Sequence, residues 1–308
     1  MTGATSGIGR EAAAELLRRD AQLHLVMLAR GATGRVTLTE LQSIRSDVTL
    51  VETDLASAAS VRAAAETVRR RLDSGDLPPL GGIVGNAGVS FNDAQRSTPD
   101  GYETTFAVNV LANHMLLGEL APGLTSPARI VITVSDTHFG DLKHGGGLFK
   151  LRWSDPDVLA RPGAFPRPGA SSAGRSAYAT SKLAAIYLVH EWARRLPDGV
   201  DIGQAPDGVD IVAYNPALVP GTGLSRDGGL TRIFMRYVTR PLAATPLLDS
   251  VPAAGRRLAD VILGGATAPT GSYIDRTRAV RSSEESYDPD RERALWEYAE
   301  RLRTSAAI

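Results

Sequence analysis

Three glycines within the first nine residues constrain this chain more than any other feature of its sequence. The segment Thr2–Gly9 has the spacing G-x-x-x-G-x-G, and an amphipathic helical pattern follows it directly. Glycine lets the backbone turn tightly and approach a phosphate closely, and the helix presents free N–H groups at its N-terminus. The turn therefore predicts a dinucleotide-phosphate site, with a plain tight turn as the alternative. The candidate contacts are Gly3, Thr5, Ser6, Gly7, Ile8 and Gly9.

Short apolar runs alternate with helical patterns along the first half of the chain. This alternation is typical of parallel βαβ units, so we predict an α/β fold: a single, doubly wound Rossmann-type domain with helices on both faces of a parallel sheet. We expect that domain over residues 1–275, with an inserted surface loop at 140–175 and a substrate-lid region at 217–250. Residues 276–308 form a C-terminal extension whose pattern predicts one amphipathic helix.

The charge balance argues against partners that need a strong electric field. Thirty-four Lys and Arg offset 34 Asp and Glu, so nucleic acid and anionic membranes are not expected partners. The chain has no cysteine, which excludes disulfides and thiolate chemistry and suits the reducing cytoplasm, the expected location. It has no run of ~18 apolar residues, so we expect no membrane span. His138 and His144 lack metal-ligand spacing, and we expect no metal.

The residue at the end of the first strand after the glycine turn indicates which dinucleotide the chain binds. An acidic side chain there would bind the ribose 2′-hydroxyl of NAD, whereas an arginine accommodates the 2′-phosphate of NADP. This chain has Ala29-Arg30-Gly31, with Arg35 close behind. The position of Arg30 favours NADP(H) over NAD(H) as cofactor; a solvated surface arginine is the alternative.

Tyr178 and Lys182 are spaced four residues apart in a helical pattern, so they lie on one face of the helix. A tyrosine hydroxyl has an ordinary pKa of about 10. A neighbouring ammonium favours the phenolate and would lower that pKa, which would make Tyr178 a general acid or base at neutral pH. The same pair occurs on many helices by chance, so the spacing alone is a weak signal.

In combination, these motifs resemble the short-chain dehydrogenase/reductase family. The glycine turn, Asn86-Ala87-Gly88, Val108-Asn109-Val110, a serine after a strand at Ser135, and Tyr178-x-x-x-Lys182 occur in the family's order over residues 1–222. The sequence around Ser135–His138, the long segment before Tyr178 and the run Asn215–Thr222 resemble the retinol-dehydrogenase-like and protochlorophyllide-reductase-like branch.

The resemblance implies hydride transfer between a nicotinamide and a carbonyl/alcohol pair. It implies that Tyr178 transfers the proton, that Lys182 lowers the Tyr178 pKa and holds the nicotinamide ribose, and that Ser135 binds the substrate oxygen. It implies that Asn109 orders the helix and a water linked to Lys182. The further implied cofactor contacts are Asp54, Leu55, Asn86, Ala87, Gly88, Pro216 and Thr222. Apolar residues within 217–250 favour a small hydrophobic substrate.

Three departures from the family pattern accompany the resemblance. The Ser135–Tyr178 separation is long because 140–175 is inserted, and Ala217 replaces the family's usual glycine after Pro216. The family's first, central strand would precede Thr2. Its absence would leave two buried strand edges unpaired, so we hypothesise that the natural start lies upstream of Met1.

Several alternatives stay open on the sequence. A non-catalytic NADP(H)-binding sensor or scaffold would need the cofactor site but not Asn109, Ser135, Tyr178 and Lys182 together. An inactive truncated member of the family is another reading. An epimerase or dehydratase of the extended branch is disfavoured, because that branch has G-x-x-G-x-x-G. A homo-oligomer is compatible with the fold.

Overall fold

The computed structural model describes residues 1–196, 208–219 and 249–305. Its first half alternates helices and strands as the sequence pattern predicts. The elements are α1 (Gly7–Arg19), β1 (Leu25–Ala29), α2 (Gly31–Gln42), β2 (Val48–Glu52), α3 (Ala58–Asp73) and β3 (Leu80–Gly85).

The second half continues the alternation but adds short helices between the later strands. The elements are α4 (Thr104–Phe106), a π-helical turn (Ala107–Leu111), α5 (Ala112–Leu120), β4 (Leu124–Thr133), a 3-10 turn (Asp136–Phe139), α6 (Leu142–Gly145), α7 (Pro156–Leu159), α8 (Ser171–Arg195), β5 (Val209–Asn215), α9 (Val251–Ile262), β6 (Tyr273–Asp275), β7 (Arg278–Val280) and α10 (Pro289–Thr304).

The strands form one twisted sheet in the order β2-β1-β3-β4-β5-β6-β7, interrupted between β1 and β3. β1 pairs with β2, and β3 to β6 pair in sequence, all in parallel; β7 pairs antiparallel with β6. Thr2 joins the two parts through parallel bridges to Leu28 and Gly85. Because the parallel strands share a direction, their carboxyl ends meet at one edge, where ligands bind in open α/β sheets.

Only the end of a central strand is present between β1 and β3. The Met1 amine donates to the Val26 carbonyl (2.7 Å), and the Thr2 N–H donates to the Val84 carbonyl (2.9 Å). Ahead of these contacts the two edges face a cavity of about 340 Å³, whose lining includes Leu23 and Gly82. Burial lowers the pKa of the Met1 amine to about 5. The unpaired edges expected from the sequence are therefore present.

Helices cover both faces of the sheet, because successive side chains of its strands point to opposite faces and both sets are apolar. In β4, Ile130 and Ile132 face the main core, whereas Val131 faces the opposite layer. The main core contains α3, α5, α8 and α10; α1 and α9 pack together on the other face. Successive residues that are buried on opposite faces of one strand are the pattern of a parallel sheet covered by helices on both sides, as in a doubly wound fold. The fold class predicted from the sequence is confirmed.

The segment 140–175 is more than the surface excursion that its glycines and prolines predict. It forms α6 and α7, and it buries Leu159, Ala160 and Phe165 in the main core. Trp153 packs edge-on against Tyr187 of α8, with ring centroids 4.8 Å apart. The surface-loop prediction is wrong for this part of the segment. Its buried side chains contribute apolar area to the core, and the glycine and proline pattern of the sequence does not show which side chains those are.

The C-terminal extension forms the expected helix, and that helix belongs to the core. Leu295, Trp296 and Ala299 of α10 are buried against α5 and α8. The His114 ring bonds to the Glu300 carboxylate (2.8 Å), and His190 bonds to another glutamate of α10. Within the described residues, no helix is long and apolar enough to cross a membrane.

Candidate active site

The glycine turn lies at the carboxyl edge of the sheet and leads straight into α1. Gly3 (φ 69°) and Gly7 (φ 54°) adopt left-handed backbone conformations that glycine favours. A Cβ on Gly9 would lie 2.1 Å from the Gly3 carbonyl oxygen, so the helix can approach the turn only with glycine there. Ser6 caps α1 without a side-chain hydrogen bond. The free N–H groups of this helix start can bind a phosphate.

The segment after β3 holds the glycine turn in place. Asn86 donates from Nδ2 to the Gly3 carbonyl (3.3 Å) and accepts at Oδ1 from the Thr133 hydroxyl (3.2 Å). The Ala87 N–H donates to the Thr2 hydroxyl (3.0 Å). The structure thus brings Asn86, Ala87 and Gly88 beside the turn, as the sequence predicts, and links three strand ends.

The predicted adenosine end of the cofactor site lies at the ends of β1 and β2. Arg30 is exposed and precedes α2 as its N-terminal cap residue. Arg35 is paired with Glu52, the last residue of β2. Asp54 is exposed and Leu55 half-buried just beyond that strand. Arg35 is thus committed to a carboxylate, which makes Arg30 the better candidate for a phosphate.

Tyr178 and Lys182 lie together on α8, deep beneath the carboxyl edge. Their exposed fractions are 6% and 3%, and the Lys182 Nζ lies 5.7 Å from the Tyr178 ring centroid. That ammonium donates to the Thr133 carbonyl (2.9 Å). The spacing argument for one helix face is confirmed.

The expected effect of Lys182 on Tyr178 is wrong for this structure. Burial raises the pKa of the Tyr178 hydroxyl, its contact with Ser135 lowers it, and the Asp136 charge raises it. Burial also lowers the pKa of Lys182 to about 8. The ammonium faces a carbonyl and not the phenol oxygen, so desolvation dominates over charge attraction. Tyr178 is a neutral phenol here.

Ser135 follows β4 after one residue, and its hydroxyl lies close enough to Tyr178 to lower the pKa of that phenol. Its hydroxyl also accepts from the Thr137 N–H (3.3 Å) and donates to the Asp136 carboxylate (3.4 Å). Burial raises the pKa of the Asp136 carboxyl. The structure therefore places Ser135, which is predicted from its position after a strand, near Tyr178, which is predicted from its spacing to Lys182. The inserted segment separates the two residues only in sequence.

Asn109 lies in the π-helical turn and is 1% exposed. Its amide group accepts from the Val89 N–H (2.9 Å) and donates to the Val89 carbonyl and the Ser181 hydroxyl. The Ser181 hydroxyl donates to the Tyr178 carbonyl (2.7 Å). Asn109 is thus linked directly to the helix of Tyr178, and its predicted water link to Lys182 stays a prediction.

The inserted segment reaches over the candidate site. The Phe149 ring contacts Tyr178 edge-on, with centroids 6.3 Å apart. The Arg152 N–H donates to the Thr180 hydroxyl (3.2 Å), and Arg175 donates to the Leu148 carbonyl (3.0 Å), which fix the segment to α8. Sequence reasoning missed Phe149, because an aperiodic insertion gives no signal for which aromatic ring turns inward.

The segment after β5 is only partly described. Pro216 is buried beside the end of the strand, and Ala217 has φ 65°, in the left-handed region that favours glycine. Thr222 and most of the predicted lid region, 217–250, lie outside the described residues. The alanine that replaces the family's usual glycine therefore adopts the left-handed backbone conformation that a glycine would favour.

We expect Ala217→Gly to stabilise the protein by about 0.5–1 kcal/mol. A left-handed alanine costs roughly 1–2 kcal/mol, and the greater freedom of glycine in the unfolded chain offsets part of the gain. Urea unfolding measures the change. Ala63→Gly, on the exposed side of α3, is the control and should lose about 1 kcal/mol. Equal losses in both variants would contradict the strain at Ala217.

No group of three His, Asp or Glu side chains is placed to hold a metal ion among residues 1–196, 208–219 and 249–305. The polar groups that converge on the edge are instead a phenol, a hydroxyl, an ammonium and an amide. These groups lie at the carboxyl edge of the sheet, where the glycine turn also lies. A glycine turn beside buried polar groups at the carboxyl edge of a parallel sheet is typical of nucleotide-binding α/β proteins.

Comparisons with known proteins agree with this class. Residues 1–145 match the family model described as short chain dehydrogenase. Protochlorophyllide reductase A of Oryza sativa subsp. japonica is 29% identical over 325 residues, covering 98% of this chain and 79% of that protein.

Two solved structures share the fold. The NADPH-bound carbonyl reductase from chicken fatty liver has a TM-score of 0.61 at 19% identity, covering 91% of this chain and 96% of its own. A short chain dehydrogenase from Burkholderia cenocepacia in complex with NADP has a TM-score of 0.62 at 20% identity, covering 89% and 93%. Residues 1–145 thus match the short-chain dehydrogenase family, and the similarity of the chain to protochlorophyllide reductases agrees with the branch that its motifs resemble.

Proposed function

We propose that this protein is an NADP(H)-dependent oxidoreductase that transfers a hydride between nicotinamide and a carbonyl/alcohol pair on a small apolar substrate. One observation carries the proposal: the buried pair of Tyr178 and Lys182 lies on one helix, near Ser135 and beneath the sheet edge that holds the glycine turn. The family supports an oxidoreductase. The carbonyl substrate and the NADP preference are the steps that we add.

The site residues divide the work of such a reaction. When bound, the nicotinamide supplies or accepts the hydride. Ser135 donates a hydrogen bond to the substrate oxygen as negative charge develops there. Tyr178 then gives its proton to that oxygen, and the family resemblance assigns Lys182 to the nicotinamide ribose. Asn109 holds α8 at the π-helical turn so that these groups keep their relative positions.

The Tyr178 hydroxyl is protonated, as a proton donor in carbonyl reduction must be. Burial and the Asp136 charge raise the pKa of the Tyr178 hydroxyl, so the residue holds its proton at neutral pH. A neutral phenol can donate a proton to a carbonyl oxygen, but it must lose that proton before it can act as a base. We therefore propose that Tyr178 is the proton donor when the protein reduces a carbonyl.

An apolar substrate suits the groups that surround the site. Phe149 lies against Tyr178, and the neighbouring Leu148 has 61% of its surface exposed. Leu218, just after β5, is 48% exposed. Exposed leucines on two segments that border a buried polar site are typical of the mouth of an apolar pocket. The relatives named for protochlorophyllide, and the one named a carbonyl reductase, agree with acceptors of this kind.

The first experiment measures thermal unfolding of the chain alone, with NADPH and with NADH. A ligand at 100 times its Kd stabilises the folded state by about 2.7 kcal/mol, which is easily detected. A larger shift with NADPH supports the proposed preference. Consumption of NADPH with apolar ketones and aldehydes then supports turnover. Binding without turnover on the panel would favour the sensor or scaffold instead.

We expect Arg30→Glu to weaken NADPH binding about 10- to 100-fold, since removal of a charged hydrogen-bond partner costs about 1.5–3 kcal/mol. NADH binding should change little or improve. Arg278→Glu makes the same charge change on exposed β7 and is the control. Cofactor fluorescence titration measures both Kd values. Equal NADPH affinity for Arg30→Glu and wild type would remove Arg30 from the cofactor site.

A further inference from the structure

His138 is a buried ring that connects Ser135 to the C-terminal extension. It lies in the 3-10 turn after β4 and has no exposed surface. Its Nδ1 lies 2.6 Å from the Ser135 carbonyl oxygen, and its Nε2 lies 3.1 Å from the Ser283 nitrogen. Ser283 lies 145 residues from His138 along the chain.

The partners determine which ring nitrogen carries the proton. The Ser283 N–H can only donate, so Nε2 must accept. Nδ1 therefore carries the hydrogen and donates it to the Ser135 carbonyl. Burial lowers the pKa of His138 to about 4, so the ring is neutral at physiological pH and keeps one donor and one acceptor. A protonated ring could not accept from Ser283.

The far end of this connection is rigid. The Ser282 and Ser286 hydroxyls lie 2.6 Å apart, and the Ser286 hydroxyl also donates to the Ser283 carbonyl (2.6 Å). The Tyr187 hydroxyl donates to the Glu285 carbonyl (2.5 Å), which ties the segment to α8. His138 packs against Tyr273, with ring centroids 5.0 Å apart. A fixed backbone thus holds the ring, and the ring holds Ser135.

We propose that His138 is a positioning residue that holds the Ser135 hydroxyl in place beside Tyr178 through its bond to the Ser135 carbonyl, while Ser283 of the C-terminal extension fixes the tautomer of the ring. The inference rests on the proposed function, since Ser135 is taken to bind the reacting oxygen. The Ser135 carbonyl is held by the His138 ring, so a shift of the Ser135 backbone moves its hydroxyl relative to both substrate and Tyr178. A displacement of about 1 Å in such a group can cost ~100-fold in rate.

Three substitutions separate the two bonds of the ring. His138→Asn places an amide N–H near the Nδ1 position and keeps the Ser135 bond. His138→Gln places an amide oxygen near Nε2 and keeps only the Ser283 bond. His138→Phe keeps the packing on Tyr273 and loses both. We expect kcat for NADPH-dependent carbonyl reduction to fall less than 5-fold in Asn and about 10- to 100-fold in Gln and Phe.

The controls distinguish positioning from general loss of structure. NADPH affinity should stay within 2-fold in all three variants, because the glycine turn is untouched. His190→Phe removes another buried histidine bond, from Nδ1 to the Glu292 carboxylate of the C-terminal helix, and should lower Tm without lowering kcat. Equal kcat losses in Asn and Gln that follow their Tm losses would overturn the proposal, and so would wild-type kcat in all three below their Tm.

A second readout does not depend on turnover. Crystal structures of the Asn and Gln variants should show Ser135 in place in the first and displaced from Tyr178 by about 1 Å or more in the second. Ser135 unmoved in the Gln and Phe variants would overturn the positioning role. Wild-type protein that binds NADPH but reduces nothing on the panel would instead count against the proposed function, and the crystal structures would still decide the role of His138.

Discussion

Tyr178→Phe should lower turnover by about 100- to 10,000-fold, because proton transfer by a positioned side chain contributes about 10²–10⁴ to a rate. The substitution removes one oxygen from a side chain that is 6% exposed and leaves the ring against Phe149. NADPH affinity should therefore stay close to that of the wild type. The measurement is steady-state reduction of the best apolar carbonyl on the panel, with NADPH binding measured in parallel.

Tyr187→Phe is a matched control on the same helix. Tyr187 is fully buried, and its hydroxyl donates to the Glu285 carbonyl (2.5 Å), away from Ser135. Its loss should cost about 1 kcal/mol of stability, the usual worth of one hydrogen bond, and leave kcat nearly unchanged. If Tyr178→Phe kept more than a tenth of wild-type turnover, the proton would have to come from another group, and the proposed mechanism would be wrong.

The fold and the main site motifs could be predicted from the sequence because their signals are local. The glycine turn, the Asn86 segment and the Tyr178–Lys182 pair each span fewer than ten residues, and each lies where its element places it. Strand and helix periods are similarly short-range. Parallel strands then bring these local motifs to one edge without further information.

The parts that sequence reasoning missed depend on long-range contacts or on burial. The His138–Ser283 bond joins positions 145 residues apart, and no spacing pattern announces it. Phe149 reaches Tyr178 from an insertion without a period. The sign of the Tyr178 pKa shift depends on how completely the site excludes water, which spacing on a helix face does not reveal. In each case tertiary packing, not local sequence, decides the chemistry.

Lys182→Met should have two effects of opposite sign: loss of turnover of about 100-fold or more, and a gain in stability of the cofactor-free protein. Lys182 is 3% exposed, and burial lowers its pKa to about 8 from an ordinary 10.5. A shift of that size corresponds to a desolvation cost of about 3 kcal/mol. Methionine fills a similar volume without a charge, and the unpaired Thr133 carbonyl offsets part of the gain.

The pH dependence tests the origin of that gain. The folded-state pKa of Lys182 lies below its unfolded value, so the unfolded chain binds more protons between pH 8 and 10.5. Wild-type stability should therefore recover relative to Lys182→Met as pH rises through this window, and the difference should be constant below pH 8. Lys150→Met, an exposed lysine, should follow the wild type throughout. If Lys182→Met were less stable than wild type at pH 7, the hydrogen bond from Lys182 to the Thr133 carbonyl would contribute more free energy than desolvation of the ammonium costs. Lys182 would then stabilise the folded protein whether or not it acts on Tyr178.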